Sequence, residues 1–163
     1  MADLLTHVLA AYVLATALSF RYEWLTPQYV TVAMVGAVVP DLAKIELLIP
    51  DARVEVLLSV PFEWFAIHTL GGTLVVITIG ALLTSRTHRW RVFLLLALGA
   101  ASHHALDALL LNPSGYSYAI FWPLSTYHPP TPGLYLSTDR WPALVTGTVA
   151  VVVWYLRYRR AGT

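Results

Sequence analysis

Five stretches of this sequence, 4–20, 29–49, 64–84, 92–111 and 141–156, are apolar along almost their whole length. Each has 16–21 residues. An α-helix needs roughly 20 residues to cross about 30 Å of hydrocarbon at about 1.5 Å per residue. The first and last stretches are the shortest. Of the 163 residues, 58% are hydrophobic and only 12% charged, whereas an ordinary soluble domain carries roughly 25% charged residues. A soluble fold of this size could not cover its surface with so little charge, so the bilayer is the expected solvent. The expected fold is an all-α, polytopic membrane bundle of about five transmembrane helices, one domain over 1–163.

Composition also narrows the function. A net charge of +1, with no basic stripe, argues against a nucleic-acid partner. Cysteine is absent, so any metal must be held by His, Asp or Glu. The first apolar stretch lacks a basic region before it and a convincing cleavage site, and reads as a retained helix. The stretch 112–140, rich in Pro, Tyr, Ser and Trp, is too irregular for lipid exposure and reads as a cap at the interface. If five helices alternate, linkers 21–28 and 85–91 share a side with the tail. That side holds Arg21, Arg86, Arg89, Arg91, Arg157, Arg159 and Arg160, seven of the ten basic residues. The positive-inside rule then predicts a multi-pass protein of the cell membrane with a cytoplasmic C-terminus.

The polar residues inside the spans need a reason, since a charge at mid-helix costs on the order of 2.5–3.5 kcal/mol on insertion scales. His7 lies near the start of the first span, Asp41 towards the end of the second and His68 near the start of the third. His103 and Asp107 fall in the last turns of the fourth. In an antiparallel bundle the starts of odd helices and the ends of even ones meet at one face. All five residues therefore gather opposite the arginines, under the cap and near the extracytoplasmic face. His103 and Asp107 are also i,i+4, on one helix face about 6 Å apart. A divalent cation would satisfy these imidazoles and carboxylates together, and such donors suit zinc first, with manganese or iron as alternatives. With an open coordination position the ion would bring the pKa of a bound water to about 7, which makes hydrolysis the expected reaction class.

Four motifs point further: Thr6-His7, Pro40-Asp41 in "GAVVPDLA", His68-Thr69, and "SHHALDALLLNPSGYSYAIFWP". The last contains Ser102, His103 and Asp107, followed by Pro, Gly and Trp-Pro. Over most of its length the chain resembles the YdjM-like membrane-bound metal-dependent hydrolases. The resemblance implies His7, Asp41, His68, His103 and Asp107 as metal ligands. That family is in turn similar to the zinc-dependent phospholipase C group, which implies a membrane lipid or other amphiphilic phosphoester as substrate. The chain departs from the family pattern twice. Ala43 stands where a second acid is usual in Pro-Asp-x-Asp, and Glu63 stands where a histidine usually precedes His68 by five residues. Glu63 is accordingly the candidate catalytic residue, as a ligand or a general base. These departures keep a second reading open, a non-enzymatic multi-pass protein whose polar cluster is structural or binds metal without turnover.

Taken singly, most of these residues have plainer explanations. His7 suits a helix start at the interface, Asp41 a turn after Pro40, and His68 a helix-to-helix hydrogen bond beside Gly71 and Gly72. The His103–Asp107 pair favours function by itself. His104 lies about 100° around the helix from His103 and is not expected to share its site. His88 and His128 read as loop histidines, and Asp51, Glu55 and Asp139 as loop charges. Trp122, Tyr127, Tyr135 and Trp141 read as interface anchors.

Overall fold

Prolines and one threonine cap decide where the helices begin and break. The computed structural model describes residues 3–161. Pro27 opens α2 (Pro27–Val38), at a position where its missing N–H costs nothing. Pro40 cannot donate to a helical ladder, and there the chain tightens into a 3₁₀ stretch, Val39–Leu47. Thr69 caps α4 (Leu70–Leu82), its Oγ1 accepting from the Gly72 N–H at 3.2 Å. Before that cap lies a separate 3₁₀ turn, Trp64–His68. Helices α1 (Leu4–Ser19), α5 (Arg89–Asp107) and α6 (Trp141–Ala161) are continuous. A short α3 (Asp51–Leu58) ends at Ser59, whose φ of 55° is left-handed.

The all-helical expectation holds, and the regular structure of the described residues contains two isolated β-bridges but no strands. The expected five uninterrupted spans do not. The second breaks at Pro40 and the third at Thr69, leaving α2 with 12 residues and α4 with 13. At about 1.5 Å per residue these reach only ~18–20 Å. Among the described residues no helix is long and apolar enough to cross a membrane. The two longest, α5 and α6, carry arginines in their first and last turns respectively. The sequence reading also missed α3. Asp51 and Glu55 are not idle loop charges: Asp51 Oδ1 accepts from the Trp64 N–H (3.0 Å) and Glu55 Oε1 from the Phe62 N–H (3.1 Å). These bonds fold the connection 59–63 back on α3.

The interior combines apolar clusters, such as Leu25, Val30 and Leu95, with small residues and buried polar groups, and much of the exterior is apolar. Ala11, Ala15, Ala33 and Ala37 are fully buried, together with Thr16, His7, His68 and His103. Leu47, Leu48, Val56, Leu57 and Leu83 are each at least 80% exposed, more large apolar surface than a water-facing exterior usually carries. Small residues let backbones meet. A Cβ on Gly99 would lie 2.0 Å from the Ala33 carbonyl oxygen, and one on Gly36 would lie 2.3 Å from that of Leu96. Helices α2 and α5 therefore cross in direct backbone contact, which sets the depth of everything α5 carries. The segment 108–140 closes over one end. Its Ile120 and Trp122 carbonyls accept from the N–H groups of Leu70 and Gly71 (2.8 and 3.2 Å), docking it on the start of α4.

Candidate metal centre

The break at Pro40 prepares the site. In an i→i+3 pattern the donor for the Ala37 carbonyl would be residue 40, a proline without an N–H. That carbonyl accepts instead from His103 Nδ1 at 2.8 Å. The Pro40 carbonyl accepts from His68 Nδ1 at 3.1 Å. Carbonyls only accept, so both rings carry their proton on Nδ1, and in the neutral form both present an Nε2 lone pair.

Those Nε2 atoms converge on one carboxylate. His68 Nε2 lies 3.0 Å from Asp107 Oδ2, and His103 Nε2 lies 3.4 Å from the same oxygen. His7 Nε2 is 3.4 Å from Asp107 Oδ1, and the His7 ring stacks on that of His103 with centroids 3.7 Å apart. Imidazole lone pairs facing a carboxylate repel one another unless a proton or a cation lies between them. His7 Nδ1 and Asp41 Oδ1 are buried without a hydrogen-bond partner, and His7 Nε2 and His103 Nε2, also buried, meet the Asp107 carboxylate only at 3.4 Å. Orphaned polar atoms in such number are rare in native interiors.

The donor set fits a divalent ion. His7, His103 and Asp107 form one group, and Asp41, His68 and His103 a second, each with ligand atoms within 4.8 Å of one another. The imidazole-to-carboxylate separations of 3.0–3.4 Å leave these donors close enough for one ion to draw together at bonds of about 2.0–2.1 Å. Two carboxylates among neutral imidazoles balance a charge of +2. The Nδ1–H bonds to backbone carbonyls are those by which ligating histidines are held in orientation.

All five residues proposed from sequence as ligands are thus brought together. Their burial is nearly complete, with His7, His68 and His103 at 0% exposure. Asp41 sits at the edge, its Oδ2 accepting from Lys44 Nζ at 2.8 Å. Glu63 is exposed, at the start of the turn that ends on His68, and belongs to neither group. Ala43, buried beside Asp41, offers no ligand atom.

His104 is occupied elsewhere. Burial, reinforced by the charges of Asp107 and Asp41, pushes the Tyr118 hydroxyl well above the ordinary phenol range. Tyr118 keeps its proton and donates to His104 Nδ1 (2.9 Å). His104 Nε2–H donates to Thr73 Oγ1 (3.1 Å), and the Thr73 hydroxyl donates to the Ile67 carbonyl (2.8 Å). This chain of bonds ties cap, α5, α4 and the 3₁₀ turn together. Thr73→Val would strand the His104 N–H in the interior. Thermal unfolding in detergent should record a loss of about 1–3 kcal/mol, with bound metal unchanged.

Sequence reasoning did not find Tyr118, Thr73 or the two carbonyls that orient the rings. Pro40 was the available signal for the carbonyls, because a proline at a helix end frees acceptors. Nothing in the sequence marks Tyr118 among the other aromatic residues of the cap.

Residues 1–162 match the family model described as YdjM inner membrane protein. The chain belongs to the YdjM inner membrane protein family. No curated protein and no solved structure matches it. Membership brings together the large exposed apolar surface and the His/Asp cluster: a membrane protein family whose member here could hold a metal ion.

Proposed function

We propose that the protein is a multi-pass, membrane-embedded, metal-dependent hydrolase acting on a phosphoester or lipid-like substrate. The observation that carries this reading is the convergence of three imidazole Nε2 atoms on Asp107, two of them held by Nδ1–H bonds to backbone carbonyls. A divalent ion bound there, zinc before manganese or iron, would supply Lewis acidity and bring the pKa of a coordinated water to about 7. His7, Asp41, His68, His103 and Asp107 would hold it. Glu63, at the start of the turn ending on His68, is the residue we assign to take the proton from the attacking water. The broad exposure of Leu and Val supports placement in the bilayer, with short elements such as α2 and α4 completing spans through the 3₁₀ segments beside them. The arginine-rich end would then face the cytoplasm and the metal the opposite side.

One observation favours a second reading. Catalytic zinc sites keep an open position, while structural ones are closed, and these imidazoles are fully buried. A structural ion, bound without turnover, satisfies the same orphaned atoms.

Elemental analysis of detergent-purified protein should find about one divalent ion per chain. Bis(p-nitrophenyl) phosphate, a p-nitrophenyl ester and a phospholipid are then offered to the zinc-, manganese- and iron-loaded protein. Turnover that stops on chelation and falls in Glu63→Gln, with metal retained, supports the hydrolase. Bound metal without turnover of any probe selects the structural ion, and no metal at all removes both.

A further inference from the structure

Two hollows of about 400 Å³ each lie side by side between α1, α2 and α6, away from the His/Asp cluster. They share the walls Tyr12, Met34 and Trp154 and so form one continuous groove. Its two halves differ in chemistry. Towards the arginine-rich end it is lined by Arg157 and by the hydroxyl-bearing side chains of Thr31 and Tyr158. Towards the middle of α6 it is walled by Leu9, Val151 and Gly147, where the missing side chain leaves the groove floor open.

Length and charge define an occupant. From Gly147 to Arg157 is ten residues, about 15 Å of helix, or half of the ~30 Å hydrocarbon core. That is the depth of one leaflet. The polar end is strongly positive. Arg159 and Arg160 follow Arg157, and Arg21 comes just after the end of α1, against Glu23 as the acid of linker 21–28. The two helix ends are held together, since Arg160 Nη1 donates to the Phe20 carbonyl at 3.2 Å and its guanidinium lies 5.5 Å from the Phe20 ring centroid. Trp154 is 54% exposed along the groove and stacks with Tyr158 at 5.8 Å, which offers a flat apolar wall topped by a hydroxyl.

We propose that this groove binds an anionic phospholipid of the arginine-side leaflet. The phosphate pairs with Arg157, and one acyl chain runs past Trp154 to Gly147. The proposal rests on the membrane placement above and is independent of the metal. Native mass spectrometry of the full-length protein in detergent tests it, with dioleoyl phosphatidylglycerol and dioleoyl phosphatidylcholine as probes. The wild type should retain phosphatidylglycerol at least tenfold better. Arg157→Gln should bring the two lipids level, while Arg86→Gln, a charge loss in the loop at the same end, should keep the preference. Gly147→Leu, which faces the groove and favours helix, should fill the chain half and lower retention of both lipids. No preference in the wild type, an Arg86→Gln loss equal to that of Arg157→Gln, or full retention by Gly147→Leu would each overturn the proposal. Extraction of the protein from membranes by alkaline carbonate would separately sink the membrane placement.

Discussion

His103→Ala should empty the metal centre, lowering affinity for a divalent ion at least 100-fold. His103 belongs to both ligand groups, so its loss leaves neither complete. Altering residues that merely orient a ligand typically costs 10–100-fold, and removing a shared ligand should cost more. Asp107→Asn should behave differently. It disrupts the His7–His103–Asp107 group but leaves Asp41, His68 and His103 in place, so weakened yet measurable binding is expected. Competition with a chelating dye, alongside elemental analysis, reads both. Equal loss in the two variants would show that Asp107 is indispensable and the second group no site in itself. Unchanged metal in His103→Ala would dispose of the centre altogether.

Gly99→Ala should be among the most damaging single-methyl changes in the protein. The added carbon would meet the Ala33 carbonyl oxygen at 2.0 Å and the Ala37 nitrogen at 2.5 Å. Both are backbone atoms that cannot rotate aside, so α2 and α5 must separate. Overpacking a tight interior costs about 1–3 kcal/mol, and a clash with backbone on this scale belongs at the upper end, roughly 3 kcal/mol. The same separation stretches the 2.8 Å bond from His103 to the Ala37 carbonyl, so metal affinity should fall together with the unfolding temperature. Gly80→Ala is the control. Its Cβ would rest 3.4 Å from a Leu96 side-chain carbon, and alanine favours helix over glycine by about 1 kcal/mol. It should leave stability level or raised. Equal effects at the two positions would mean that the α2–α5 crossing is not what positions His103.

Much of this site is legible in the sequence because its residues interrupt apolar runs. A histidine or aspartate in such a run is costly, and that cost marks His7, His68, His103 and Asp107 wherever they stand. Reversal of successive helices then brings starts and ends to one face, which needs only the order of the elements. The choice of His103 over His104 follows from helical geometry, since at i,i+4 His103 lies nearer in angle to Asp107 than His104 does at i,i+3. The continuity of the helices was misread. Hydropathy averages over about twenty residues and passes across Pro40 and Thr69, whose effects are local backbone events. α3 escaped because the stretch 47–58 lacks periodicity, and it is held by Pro50 before it and by hydrogen bonds from Phe62 and Trp64 that span 7 and 13 residues.

Sequence alone determined the helical class, the surplus of apolar surface and the set of costly polar residues, since each follows from side-chain chemistry and local periodicity. The family relation rests on that same pattern of motifs. Tertiary structure alone decided how close those residues come and which way they face. Gly36 and Gly99 allow two backbones to touch, and that contact places the Ala37 carbonyl where it fixes the His103 tautomer. Bonds between residues 28 and 66 positions apart turn two histidines towards Asp107. No local rule specifies such contacts, because they depend on how deeply one helix sinks against another.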